Sequence, residues 1–101
     1  MVEKLEKDVI DAKMQKLSAW TLSLDSRAIE RSFKFKDFRE AFAFMTEVAI
    51  WAEKIKHHPE WLNVYNHVMI RLTTHECEGL TQKDMDLARH IDKVSQQWEV
   101  K

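Results

Sequence analysis

The chain contains one glycine, one proline and one cysteine in 101 residues. A lone cysteine excludes an internal disulfide framework and suits a reducing compartment. With so little glycine and proline, turn punctuation is scarce, and the elements must be read from the spacing of apolar side chains. No apolar run approaches the roughly 20 residues needed to span a bilayer, and the opening MVEKLEKDVIDAK is too charged for a secretory signal. The expected address is the cytoplasm, with passive entry to the nucleus open to a chain of this size. Charge of one sign is missing as well. Sixteen basic and seventeen acidic side chains leave a formal net charge of −1, so there is no electrostatic footprint for a nucleic-acid backbone and direct DNA or RNA binding is disfavoured. What remains is 45% hydrophobic and 33% charged residues, the composition of a single compact domain over 1–101. Such a small domain buries a modest core, which makes self-association a natural source of stability.

Residues 3–16 are polar with a thin stripe of Leu5, Val9 and Ala12, the pattern of an amphipathic helix. At Trp20 the period changes to two. Trp20, Leu22 and Leu24 predict a first strand, Asp25 and Ser26 supply a turn, and Ile29, Phe33 and Phe35 opposite Glu30, Ser32 and Lys34 predict its hairpin partner. Asp37 is a good N-cap, with Glu40 three residues on, for a helix over 37–56. Phe38, Ala41, Phe42, Met45, Ala49 and Ala52 form one apolar stripe of this helix; Phe44, Val48, Trp51 and Ile55 form a second. One sheet face cannot cover both, so the second meets either another subunit or the first or last helix. Pro59 ends the helical region. Trp61–Tyr65 and the alternation of Val68, Ile70, Leu72 and Thr74 predict a second hairpin. After Gly79, Thr81 and Asp84 form a capping box for a helix carrying Leu87, Ala88, Ile91, Val94 and Trp98. The order α-β-β-α-β-β-α implies an α+β fold, a two-layer sandwich of a four-stranded antiparallel sheet with three helices on one face.

Four of the five histidines fall between positions 57 and 75. A metal centre is disfavoured. His67 and His75 are eight residues apart on one strand, roughly 26 Å if extended, adjacent His57 and His58 diverge, and no CxxC or HExxH spacing is present. Cys77 has little to activate it as a nucleophile. General acid–base chemistry suits imidazole better, since its charge changes near neutral pH. His57 and His58 follow a helix C-terminus, and Glu53, four residues before His57, is spaced to orient that ring. A hairpin that folds back brings His75 opposite the pair, with Thr73, Thr74 and Glu76 as polar contacts and Trp61 as a wall for a flat ring.

The segment EKIKHHPEWLNVYNHVMIRLTTHECEGLTQKDMDLA resembles the signature region of the pterin-4a-carbinolamine dehydratases, also known as dimerisation cofactors of a homeodomain transcription factor. The matching positions are Glu53, His57, His58, Pro59, Trp61, Tyr65, His75 and Asp84, and the likeness extends upstream through FKFKDFREAFAFMTEVA to cover nearly all of residues 17–98. The resemblance implies loss of water from 4a-hydroxytetrahydrobiopterin to give quinonoid dihydrobiopterin, with no metal and no redox cofactor. It implies His57 and His75 as acid–base residues, His58 as a pterin-positioning residue and Glu53 as their support, with Pro59, Trp61, Thr73, Thr74 and Glu76 contacting or shaping the substrate. It also implies a homodimer or homotetramer through helix 37–56. A homeodomain transcription factor docking on that helix is the alternative, non-enzymatic role. Lys56 departs from the family's better-known animal members, which carry an acidic residue there; Thr73 replaces their Ser and keeps the hydroxyl.

Overall fold

In the computed structural model, which describes residues 3–98, the chain runs α1 (Lys7–Met14), β1 (Thr21–Leu22), β2 (Ile29–Lys34), α2 (Phe38–Ile55), β3 (Glu60–Val64), β4 (His67–Leu72), a 3-10 turn (His75–Cys77) and α3 (Gln82–Ser95). The four strands form one antiparallel sheet in the order β1-β2-β4-β3, and the three helices cover one side of it. This is the α+β sandwich that the periodicity predicts. Ile29, Phe33 and Phe35 from β2 and its end, and Val68, Ile70 and Leu72 from β4, turn inward. They meet Ala41, Phe44 and Val48 of α2 and Met85, Leu87, Ala88 and Ile91 of α3. At the centre the Phe44 ring lies 5.0 Å from Phe33 and 4.8 Å from Phe35, an apolar contact that stabilises each pair by about 1 kcal/mol beyond simple burial.

Local chemistry sets the element ends. The Asp37 side chain accepts from the Glu40 N–H at 2.9 Å and caps α2, satisfying one of the helix's orphan donors. The other end differs from expectation. Pro59 does not stop the helix; Lys56 does, three residues earlier, by adopting a left-handed conformation (φ 57°, ψ 41°). Its N–H then donates to Glu53 O at 3.3 Å and the His57 N–H to Ala52 O at 3.1 Å, the paired bonds of a Schellman turn. The first strand is shorter than Trp20–Leu24, because Trp20 is buried before it and Leu24 is fully exposed in the turn. The predicted helix over 3–16 begins only at Lys7, and its inward residue is Ile10 rather than Val9 or Ala12. Leu5 precedes the helix and is held by its own N–H, which donates to Leu80 O at 2.8 Å.

The two stripes of α2 divide differently from the sequence reading. Ala41 and Ala52 join Phe44 and Val48 on the inward face. Within the stripe of Phe44, Val48, Trp51 and Ile55, the first two are therefore buried by the chain itself, while Trp51 and Ile55 are half-buried against the same core. Trp51 finds its cover in α3, where its ring stacks on His90 at 4.3 Å between centroids and 18° between planes. Trp98, just beyond α3, donates its indole N–H to Glu47 of α2 at 3.1 Å. The residues left outside are Phe38 (49% exposed), Phe42 (57%) and Ile50 (67%).

Burial in this stack pushes the His90 imidazole below its ordinary value of 6.5; Lys93 acts in the same sense and Glu47 opposes it. The folded state then binds fewer protons at this site than the unfolded chain, so the group's contribution is present above about pH 6.5 and is lost as pH falls through the depressed folded value. His90→Phe keeps the stack and removes the titration. Melting temperatures recorded from about pH 8 to about pH 5 should fall less steeply below pH 6.5 in this variant than in the parent chain; parallel curves would refute the assignment.

Candidate active site

Because Lys56 turns the chain at the end of α2, the next two histidines separate. His57 is drawn inward and is 9% exposed. Its Nε2 lies 2.6 Å from Oδ1 of Asp84, a carboxylate with no exposed surface. His58 stays outside, with Nε2 2.9 Å from Glu53 Oε1. The helical spacing that pairs Glu53 with His57 thus fails, since the left-handed residue breaks the register between them. Glu53 serves His58, and Asp84, 27 residues downstream, serves His57.

Asp84 has further tasks. Its Oδ2 accepts from the Thr81 N–H at 3.0 Å, closing the capping box of α3, and from the Thr74 hydroxyl at 2.7 Å. The Thr74 proton is committed to that carboxylate, so in the 2.8 Å contact between Thr74 and Thr81 the Thr81 hydroxyl is the donor. Thr74 N and O also bridge to Gly79, which seats the 3-10 turn that starts with His75. His75 is 79% exposed at its side chain, and its Nε2 lies 3.0 Å from Glu60 Oε2.

These links close on themselves. His57 and His58 are neighbours in the chain; Pro59 joins His58 to Glu60; Glu60 holds His75; Thr74 adjoins His75 and reaches Asp84; Asp84 returns to His57. All three histidines are therefore held in one locality, each with Nε2 on a carboxylate and Nδ1 free of hydrogen bonds to the described residues. No buried side-chain nitrogen or oxygen lacks a partner among the described residues, so Nδ1 of His57 is a part of that ring which solvent reaches.

The remaining sequence candidates sit nearby in different states. The Thr73 hydroxyl donates to Arg27 O at 2.6 Å, and that of Thr74 is buried on Asp84. Trp61 faces the same side of the sheet as Ile70, its partner in β4, and packs against the core. Pro59 is half-buried, while Glu76 is exposed and makes no hydrogen bond or ion pair among the described residues. His67 lies on the outer face of the sheet, paired with Lys34 and Val64. Among the described residues no three His, Cys, Asp or Glu side chains are placed to hold a metal ion, and no helix is long and apolar enough to cross a membrane. Sequence reasoning placed Asp84 in the family pattern and in a capping box but gave it no role at the site. Glu60 it missed altogether, although alternation along β3 puts that residue at the strand's start beside the HHP turn.

The fold places the chain in a known class, and the solved structures define it. A transcriptional coactivator/pterin dehydratase from Brucella melitensis superimposes with a TM-score of 0.88 at 41% identity, covering 91% of this chain and 98% of its own. A pterin dehydratase-like protein that is a RuBisCO assembly factor in the alpha-carboxysome matches at a TM-score of 0.66 and 18% identity, over 76% of this chain and 89% of its own, a likeness of fold alone. The chain itself belongs to the pterin 4 alpha carbinolamine dehydratase family, whose model matches residues 3–94. Candidate pterin-4-alpha-carbinolamine dehydratases from Rhizobium rhizogenes and Burkholderia vietnamiensis are 50% and 48% identical to it, over 92–93% of this chain and 92% of each relative.

Proposed function

We propose that this chain dehydrates 4a-hydroxytetrahydrobiopterin to quinonoid dihydrobiopterin by histidine acid–base catalysis. The observation that carries the reading is the closed ring of contacts, which presents imidazoles with Nε2 anchored and Nδ1 open. Dehydration needs two proton transfers and no electron transfer. The bond from the 4a carbon to its hydroxyl breaks as that oxygen takes a proton from an imidazolium, and the adjacent ring nitrogen gives its proton to a neutral imidazole as the C=N bond forms. His57 and His75 take these two parts. His58, steadied by Glu53, positions the pterin; Pro59, Trp61 and Glu76 shape its surroundings, and Thr73 and Thr74 brace the segment that carries His75. Fold alone would not license this, since one fold hosts unrelated functions; the family membership and the imidazole–carboxylate pairs do the arguing. The test is stopped-flow dehydration of enzymatically generated 4a-hydroxytetrahydrobiopterin. Acceleration over the buffer rate is expected, and its absence would overturn the reading.

The outward face of α2 supports self-association as a homodimer or homotetramer. Phe38, Phe42 and Ile50 form an apolar strip that a monomer leaves in water. Phe42→Glu should shift sedimentation equilibrium at micromolar concentration to the monomer, with an unchanged circular dichroism spectrum; a parent chain that is already monomeric would refute the interface. The same strip favours a second reading, in which α2 docks the dimerisation helices of a homeodomain transcription factor, and a pull-down with such a segment separates the two.

A further inference from the structure

The outer face of the sheet carries one ordered row of charge. Register sets Glu30 of β2 and Glu60 of β3 directly opposite Arg71 of β4, one on each side. Arg71 NH1 lies 3.2 Å from Glu30 Oε2, and Arg71 Nε lies 3.3 Å from Glu60 Oε1. The second oxygen of Glu60 meets His75. Cross-strand partners of opposite charge on one face are neighbours by construction, so three strands fix the position of Glu60 before His75 reaches it. His75 itself has no comparable support: it lies in a three-residue 3-10 turn with an exposed side chain.

From this geometry we infer that Glu60 is a positioning residue for His75, with Arg71 as its anchor. The inference rests on the dehydratase reading and extends it. A neutral imidazole carries its proton on one nitrogen, and the acceptor that this nitrogen meets selects the tautomer. Glu60 offers a carboxylate oxygen 3.0 Å from Nε2, an ion-pair contact. A proton drawn to that oxygen stays at Nε2, which biases the ring's orientation and leaves Nδ1 to exchange protons with the substrate. Arg71 binds the other carboxylate oxygen and stops Glu60 from swinging into solvent. Without the row, an exposed ring on a short turn samples several rotamers and both tautomers, and only a fraction of encounters present Nδ1 correctly. The loss falls on the chemical step more than on binding.

Glu60→Ala removes the acceptor, Glu60→Gln keeps an oxygen for the Nε2 proton without the charge, and Arg71→Met frees the carboxylate. Glu60→Ala should lower kcat on the order of 10-fold with KM little changed, Arg71→Met should lower it less, and Glu60→Gln should restore most of the rate. In 15N spectra of histidine-labelled protein, with His75→Gln used to assign the signal, the His75 ring should change on Glu60→Ala and be largely recovered in Glu60→Gln. These spectra report the pairing whether or not the protein turns over a carbinolamine. A parent chain inactive in the stopped-flow assay would sink the dehydratase reading and the catalytic half of this inference with it. With an active parent, unchanged His75 signals, or an unchanged kcat, in Glu60→Ala would sink the inference alone.

Discussion

His57→Ala and His75→Ala should each reduce the dehydration rate by about 10²–10⁴-fold, the usual contribution of a positioned acid or base, and the double variant should be no worse than the more damaged single. Two residues that act as a unit show this non-additivity, because once one half of the proton exchange is gone the other half has nothing to complete. Losses that instead multiply would indicate independent roles, and a double variant with full activity would remove both residues from the mechanism. His75 provides the cleaner measurement. Its side chain is exposed, so His75→Ala should leave the melting temperature nearly unchanged. His57→Ala withdraws one partner from the buried Asp84 and should cost about 1–3 kcal/mol of stability, so its kinetics need to be taken well below its melting transition.

How far the sequence shows this site depends on which physical rule governs each residue. Strand parity and helix spacing act over a few residues, and they recover the α+β order, the inward faces of β2 and β4 and the Asp37 cap. They fail where one backbone angle intervenes. Nothing in Lys56 announces a left-handed turn, since glycine is the usual residue there, yet that turn moves Glu53 from His57 to His58. Lys56, where this chain departs from the family's better-known animal members, is therefore the very residue that ends α2. The faces of α2 are misjudged for another reason. Alanines fit either stripe, and only the close approach of the sheet and α3 decides that Ala41 and Ala52 go inward. Asp84 was hidden by sufficiency: a Thr-x-x-Asp box accounts fully for an aspartate at that position, so its second oxygen, aimed at a histidine 27 residues earlier, left no signal in local spacing. The resemblance flagged the position without saying what it does.

That double duty sets up a contrast between two substitutions of Asp84. Asp84→Ala deletes the acceptor of three groups at once: Nε2 of His57, the hydroxyl of Thr74 and the N–H of Thr81. All of these are buried, so the expected loss is about 3–5 kcal/mol, as when one partner of a buried charged network is removed, out of a total of about 5–15 kcal/mol for a domain. Urea unfolding should show a large fall in midpoint, and a value close to the parent's would mean that the network contributes little. Asp84→Asn preserves the shape. Its single carbonyl oxygen can keep the Thr81 N–H and the Thr74 hydroxyl, which leaves its NH2 group facing His57. An NH2 group donates only, so Nε2 must become the acceptor and the imidazole proton must move to Nδ1; the ring can then neither take a proton at Nδ1 as the base nor hold the second proton at Nε2 that an imidazolium acid carries. An amide in place of a tautomer-fixing carboxylate can leave geometry intact and cost about 10⁴-fold in rate. Asp84→Asn should therefore melt much closer to the parent than Asp84→Ala does while losing at least about 10²-fold in kcat, and ring 15N shifts of His57 should report the relocated proton. If Asp84→Asn keeps both its stability and its rate, Asp84 serves as a helix cap alone, and Nδ1 of His57 is not the atom that handles the proton.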